Sequence, residues 1–588
     1  MKLLICDSDQ VYLESKSTHA FLFRGYILEK WSLNNSPDEF NMSLNGIEYA
    51  AADAMHVELS KMLDYLDQYS LAHNKFVATR KNKRDIHFSL LYNSYWQLVI
   101  KKHVLRLVIE KLLTIFSNNV KEIEISLSED YRLAEIDFRQ YFKGIKLRMH
   151  FRADAGIRFK RIKPIVKNLG YFVYRFYKKV TGYGINKHPG KKNILLFIYD
   201  VPSLHIVLQR FYELVKLSNK VHLHLVTITS GIPEKKAIDP KNLQGKNISV
   251  YDYKIFRNGN FQNHRDLYQL LEVVNSSYSL VKEKQFIENL EIQYSWIGNM
   301  VAQIKPDITL TLSLSESGRA LSDVSRFFDI PSVNVDYGLF TDDPLFMQSN
   351  IEFTYRACIS QANVDIWHHR KDPTLNYRII GFCKLDAYKN FEINREAFFK
   401  RFGLNNTANT IFFASSWTAQ NKSYELEKQK IVQELAELCN RNNWNLIVKK
   451  HPAEYDNICK LVLKEHNFPN QILFDHEEIN LHELLSVSTV VTTQSSSLVI
   501  DAMYFDKPFC FFSYSLNQSV TDFYTSIKKD ELIQTVNTID EFELFAKQFS
   551  SDKNKNDWFE KLALSKAKYL YKTDGNASQR LLDLLIEC

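Results

Sequence analysis

The chain has 588 residues, 45% of them hydrophobic and 24% charged, which exceeds what one hydrophobic core supports and implies two to four domains of ordinary globular composition. The formal net charge of +7 is concentrated: residues 156–192 hold eleven Lys or Arg and no Asp or Glu, leaving the rest of the chain at −4. No apolar run is long enough to cross a bilayer, the opening MKLLICDSDQ meets acid too soon for a signal peptide, and the seven cysteines lack metal-like or disulfide spacing, so a cytoplasmic protein with reduced thiols is expected.

Residues 1–155 read as an α/β domain of unknown role, with a basic helical stretch over 90–117 and strand, helix, strand over 120–151. Residues 156–192 form a basic linker. Within it, Ile165, Val166, Leu169, Phe172, Val173 and Phe176 make one helical stripe, with Lys167, Arg175, Lys178 and Lys179 off it. Two readings stand: an amphipathic helix over 164–181 on an anionic membrane surface, or a linker helix docked on a neighbouring domain. No matching basic and aromatic surface elsewhere supports a nucleic-acid partner.

From 193 onward strands and helices alternate. NILLFIYD (193–200), VHLHLVTI (221–228) and ISVYDYKI (248–255) read as strands, 264–303 as helical, DITLTLSLS (307–315) as a strand, ESGRALSDVSRFFD (316–329) as a helix, and PSVNVDYG (331–338) as a strand running into a loop. RIIGFCKLDAYKN (378–390) joins this series to a second one. There TIFFASSW (410–417), NLIVKKHP (445–452) and QILF (471–474) read as strands and 424–442 as a helix. VVTT then leads into QSSS and a helix from Leu498, stopped by Lys507-Pro508, with the last helices near 540–548 and 555–587. The expected fold is α/β, two Rossmann-like domains at 193–390 and 391–588 facing a cleft, plus the N-terminal domain. Ligands of such sheets bind at the carboxyl ends of the strands.

Three places there carry candidate chemistry. Ser495, Ser496 and Ser497 open a helix, where free N–H groups and the helix dipole suit a phosphate, although one serine N-cap would also account for the position. Lys450, His451 and Pro452 follow a buried strand, and the proline holds the preceding histidine extended; a structural hydrogen-bonding role for His451 is the bland alternative. Asp336, before Tyr337 and Gly338, is a carboxylate at a strand end able to take a proton from a hydroxyl. Glu316 is the alternative base, or simply an acidic residue stabilising a helix N-terminus.

The order of these features, a strand with Lys-His-Pro, about forty residues, then strand, TTQSSS, helix and Lys-Pro, resembles the C-terminal half of GT-B glycosyltransferases. The nearest groups are bacterial sialyltransferases, capsule Kdo transferases and CDP-glycerol glycerophosphotransferases. The resemblance spans roughly 193–530 and includes IIGFCKLDAY, with Gly381 and Asp386, as the segment crossing between domains. It implies that His451 and the three serines, with Lys450, hold the donor's phosphate and nucleotide. Asp336 would be the base, or a nucleophile if the reaction retains configuration. The sialyltransferases carry an acidic pair before that glycine and the phosphotransferases often His-Gly; Asp336-Tyr337-Gly338 matches neither fully. The resemblance further implies no cofactor and no essential metal, a nucleotide-sugar donor, and a glycan or lipid-linked glycan acceptor in surface polysaccharide synthesis. The alternatives are transfer of a polyol phosphate from a CDP donor, a UDP-sugar 2-epimerase, and a noncatalytic glycan-binding module.

Overall fold

The computed structural model describes residues 2–6, 20–24, 27–32, 120–128 and 146–152, and from 187 to 588 most of the chain; its longest gaps there are 229–242, 257–292, 339–352 and 513–529, and 452–456 and 495 are also outside it. The basic helix expected over 164–181 lies outside the described residues. The chain divides into two compact units. One comprises residues 1–187, 252–305 and 314–329, and the other 188–251, 306–313 and 330–588.

The first unit contains a five-stranded sheet with the order β3-β2-β1-β4-β5, formed by β1 (Lys2–Cys6), β2 (Ala20–Arg24), β3 (Ile27–Ser32), β4 (Glu122–Ser128) and β5 (Lys146–Arg152). All its pairings are parallel except β2 with β3, and a register shift interrupts that hairpin between Leu22 and Phe23. Ile123 and Ile125 of β4 alternate inward, the expected pattern of a strand with one face in a core.

The second unit is built on two parallel sheets. The first runs β12-β11-β10-β9-β6-β7-β8. Its strands are β6 (Lys192–Tyr199), β7 (Val221–Ile228), β8 (Ile248–Asp252), β9 (Ile308–Thr311), β10 (Ser332–Val335), β11 (Tyr355–Cys358) and β12 (Tyr377–Ile379). The second sheet runs β15-β14-β13-β16-β17-β18. It comprises β13 (Thr410–Ala414), β14 (Asn445–Lys449), β15 (Gln471–Phe474), β16 (Val490–Thr493), β17 (Phe509–Phe512) and β18 (Thr535–Val536). The inner strands β9, β10, β13, β16 and β17 are short runs buried on both faces, which is why most of them read as continuous apolar segments rather than alternating ones. Both sheets wind outward from a central strand, β6 in one and β13 in the other, so the fold is the doubly wound GT-B type.

The helices that bear on the site and on the joining of the sheets are α1 (Gln209–Leu217), α2 (Glu316–Phe327), α3 (Gln361–His369), α4 (Lys422–Asn442), α5 (Leu498–Tyr504) and α6 (Ala577–Glu587). One hydrophobic cluster runs from β6, β9 and β10 through residues 380–404 to α5 and its face of the second sheet; another covers the opposite face beneath α4. The segment that leaves β12 turns at Gly381, whose φ of +88° favours glycine, and coils through a 3-10 turn at Cys383–Tyr388. Asp386 there accepts hydrogen bonds from the Ala577 and Ser578 amides (3.1 and 2.6 Å), capping α6. Arg580 on α6 returns a bond to the Ile380 carbonyl (2.6 Å) while pairing with Asp574, and Lys192 donates to Ile586 (3.1 Å). Thus α6 is pinned to the first sheet of its unit.

The structure departs from the sequence reading in several elements, among them helices at Arg395–Phe402 and Ile458–His466. Strand β11 and helix α3 are also absent from that reading because β11 reads Tyr-Arg-Ala-Cys, and an arginine that is in fact fully buried breaks the apolar pattern. The stretch 555–587 is two helices, Lys555–Tyr569 and α6, broken where Tyr571 and Gly575 take positive φ.

Candidate functional site

Strand β13 pairs with β14 on one side and β16 on the other, so the second sheet reverses its strand order there. At such a switch point two loops diverge and leave a crevice at the carboxyl edge. What the three strands deliver to that edge is polar. From β13 come Ser415 and Ser416, both buried; Ser416 shares a hydrogen bond with Thr493 (3.2 Å), whose hydroxyl donates to the Ala414 carbonyl (2.8 Å). From β14 come Lys449, Lys450 and His451, and from β16 Gln494, Ser496 and Ser497. Parallel strands lie about 4.8 Å apart, so side chains leaving β14 and β16 with β13 between them begin roughly 10 Å apart.

Burial pushes the Lys449 ammonium down to about 8, against the opposing pull of Glu478 and Asp475. Its Nζ donates to the Ile479 carbonyl (3.0 Å), so Lys449 serves the chain itself. Lys450 pairs loosely with the exposed Asp475 carboxylate at 3.7 Å, a contact worth little in water and easily exchanged for a ligand anion. His451 is half-buried at the end of the strand. Pro452 and Ser495 lie outside the described residues.

The serines divide their work. Ser496 Oγ accepts from the Leu498 amide (3.2 Å), a local cap, whereas Ser497, at the N-cap position itself, makes no side-chain capping bond. The Ser497 hydroxyl instead faces Gly338: a methyl built on that glycine would lie 3.4 Å from Ser497 Oγ. This contact joins the two candidate regions. Asp336-Tyr337-Gly338, at the end of β10, abuts the serine turn at the start of α5. Buried Gln494 adds a bond from Nε2 to Glu427 of α4 (2.8 Å), fixing the β16 end of the turn.

Asp336 continues the ladder, its amide donating to Ala357 (3.0 Å), and the residue is 2% exposed. Trp367 Nε1 stands 3.3 Å from both carboxylate oxygens. Asn363, one helical turn earlier on α3, donates to the Gly338 carbonyl (3.1 Å). Tyr337 is 42% exposed, and burial and then the Asp336 charge raise its phenol above the usual range. Glu316 opens α2 in the first unit, and its side chain lies outside the described residues. Sequence reasoning missed Ser415, Ser416, Asn363 and Trp367. The doubled serine after an apolar strand in TIFFASSW was a visible signal for the first pair; nothing pointed to the second.

Among the described residues no group of three or more His, Cys, Asp or Glu is placed to hold a metal ion, and no helix is long and apolar enough to cross a membrane.

Residues 361–587 match the family CDP-Glycerol:Poly(glycerophosphate) glycerophosphotransferase. The match begins at α3 and takes in the whole second sheet with Lys450, His451 and the serines, while Asp336 lies before it. The match covers the second sheet of a doubly wound, GT-B type fold. No curated protein sequence matches the chain. Similar solved structures include the UDP-GlcNAc 2-epimerase of Neisseria meningitidis bound to UDP-GlcNAc, 13% identical with TM-score 0.43, covering 67% of this chain and all of that one. The S. aureus MnaA-UDP structure is 14% identical with TM-score 0.44, covering 66% and 95%. The wall teichoic acid polymerase TagF is 13% identical with TM-score 0.42, covering 74% and 98%.

Proposed function

We propose that this protein transfers a polyol phosphate from a cytidine diphosphate donor to a hydroxyl of a growing surface polymer. The observation that carries this is the glycerophosphotransferase match over 361–587, the stretch that supplies every donor-side candidate. In the reaction an acceptor oxygen attacks the phosphorus that bears the polyol, the pyrophosphate P–O bond breaks and CMP leaves. His451, Lys450 and the hydroxyls of Ser495, Ser496 and Ser497 neutralise the charge gathering on the leaving phosphate, with the first amides of α5 behind them. Preaimed donors of this kind are commonly worth several kcal/mol in rate. Asp336 takes the acceptor proton, its carboxylate oriented by the indole N–H that stands equally distant from both oxygens. In this scheme side chains and helix amides neutralise the leaving phosphate, and no metal is assigned to it. The basic segment 164–181 would hold the enzyme at the inner membrane face, where a lipid-linked acceptor is found.

The second reading is transfer of a sialic-acid-like or Kdo-like sugar from a CMP donor in capsule or lipopolysaccharide synthesis. A carboxylate at position 336 favours it, because the phosphotransferases it resembles more often present histidine there. Thermal melts of the purified chain with CDP, CMP, UDP and GDP, repeated with His451→Ala, separate the two. A ligand confined to the folded state stabilises it by about 2.7 kcal/mol at a hundred times its Kd. Because CMP leaves in both reactions, CDP discriminates: a CDP response larger than that to CMP and lost in the variant supports the phosphotransferase, and a CMP response without one to CDP supports the sugar transferase. A UDP response alone, or none, sinks both.

A further inference from the structure

Helix α3 carries two side chains, Asn363 and Trp367, spaced one turn apart so that they share a face. Both end on the Asp336–Gly338 loop, one at its carbonyl and one at its carboxylate. Behind the indole lies a third side chain, and it is charged. Arg356 of β11 is fully buried, with its Cζ 3.8 Å from the Trp367 ring centroid and NH1 bonded to Asn334 Oδ1 (2.7 Å). Asn334 and Arg356 are register partners, and Asp336 follows Asn334 by two residues just past the end of β10, where its amide continues the ladder, so all three side chains share one face of the sheet. The Trp367 ring stacks on the guanidinium and its N–H reaches the carboxylate. A cation against the ring draws electron density from the indole and makes that N–H a better donor.

Full burial of an arginine is expensive unless its charge is used, and here it is placed against the ring that contacts the candidate base. The second bond, from Asn363 to Gly338, fixes the part of the loop that faces Ser497. The two bonds therefore set the separation between the acceptor-side carboxylate and the donor-side hydroxyl.

We infer that Trp367 is a positioning residue for Asp336 and Asn363 one for Gly338, so that α3 holds the acceptor and donor sides of the site in register. This rests on the reading of Asp336 as the base and Ser497 as a phosphate ligand. Misplacement of a reacting group by about 1 Å can cost on the order of a hundredfold in rate.

The test uses the full chain with Trp367→Phe, which keeps an aromatic ring in the buried site beside Arg356 and removes the N–H together with part of the fused ring system, and with Asn363→Ala. Amide exchange of the peptide spanning 333–338 is followed by mass spectrometry, the CDP-induced melting shift is recorded, and CMP release from CDP-glycerol is split into kcat and KM. Expected are faster exchange at 333–338 in both variants, an undiminished CDP shift, and kcat down by ten- to a hundredfold with donor KM within about twofold. Wild-type exchange in both variants overturns the inference. So does a Trp367→Phe protein that loses its CDP shift together with turnover, since the residue then only supports packing. If the unaltered chain responds to no nucleotide, the proposed function fails instead, and the exchange comparison still decides whether α3 holds the loop.

Discussion

Replacing Gly338 by alanine should raise stability while weakening donor binding, two effects of opposite sign from one methyl group. Gly338 does not have a positive φ, so an L side chain meets no backbone strain there. The added Cβ would sit 3.4 Å from Ser497 Oγ and 3.7 Å from Ser497 Cβ, ordinary contact distances, so the fold need not shift. Restricting the unfolded chain then contributes about 0.4–1 kcal/mol of stability. The same methyl covers the side of Ser497 that faces the loop. If that hydroxyl donates to a phosphate oxygen, losing a hydrogen bond to a charged group costs about 1.5–3 kcal/mol, roughly ten- to 150-fold in affinity. Calorimetric titration with CDP, beside melts of the free protein, reads both numbers. A Gly338→Ala protein that melts higher and binds CDP as tightly as the wild type would refute the assignment of Ser497 to the donor phosphate. Ser497→Ala should lose the same affinity without the gain in melting temperature.

Three further perturbations have defined outcomes. Lys384 and Asp501 form a 2.6 Å ion pair between the connecting segment and α5, with the Asp501 side chain only 4% exposed; Lys384→Met should cost about 3–5 kcal/mol by stranding that carboxylate, and the double change to Lys384→Met with Asp501→Leu should recover most of it in denaturant titration. Asp386→Ala should cost about 1–2 kcal/mol through the lost cap of α6, seen as faster amide exchange in its first turn. On the acid side, burial holds His205 and His222 at about 4 and His224 at about 3; His188 and Lys191 press on His222, and His222 and His188 on His224, against the pull of Asp307. The unfolded chain takes up these protons near 6.5 and the folded chain refuses them, so the stability they contribute is complete above 6.5 and is lost as pH falls from there to about 3. Melting temperatures measured across that range should fall less steeply in His222→Asn, and an unchanged slope would remove His222 from the account.

Where burial and chain direction act together, the sequence was a sufficient guide. NILLFIYD, VHLHLVTI and TIFFASSW could only be buried strands, and the strand-to-helix step at QSSS marks the switch point of the second sheet because the apolar period changes from a continuous run to helical spacing there. Residues 353–369 stayed illegible for a physical reason. Their burial depends on pairwise interactions, Arg356 with Asn334 and Trp367 and Asn363 with Gly338, and such pairs leave no periodic trace in one dimension. Lys507 teaches the converse. Read as part of the stop after α5, it donates its ammonium to the Ser486 and Ser488 carbonyls (2.9 and 3.0 Å), at the end of the helix Leu481–Val487 rather than of its own.

The pinning of α6 also shapes how the chain reaches its native state. Asp386 meets Ala577 across 191 residues of sequence and Lys192 meets Ile586 across 394, so neither bond can form until both parallel sheets are largely in place. Closing the longer loop rather than the shorter adds only about 0.6 kcal/mol per doubling, so thermodynamics scarcely opposes it, but such distant partners slow the search. The docking of α6 should therefore be a late, separable event in refolding, with its amides the last to gain protection in a pulse-labelling experiment. Until it happens the Ile380 and Ile586 carbonyls lack their partners on Arg580 and Lys192, and the half-made molecule presents an open flank to proteases and to other chains in the same condition.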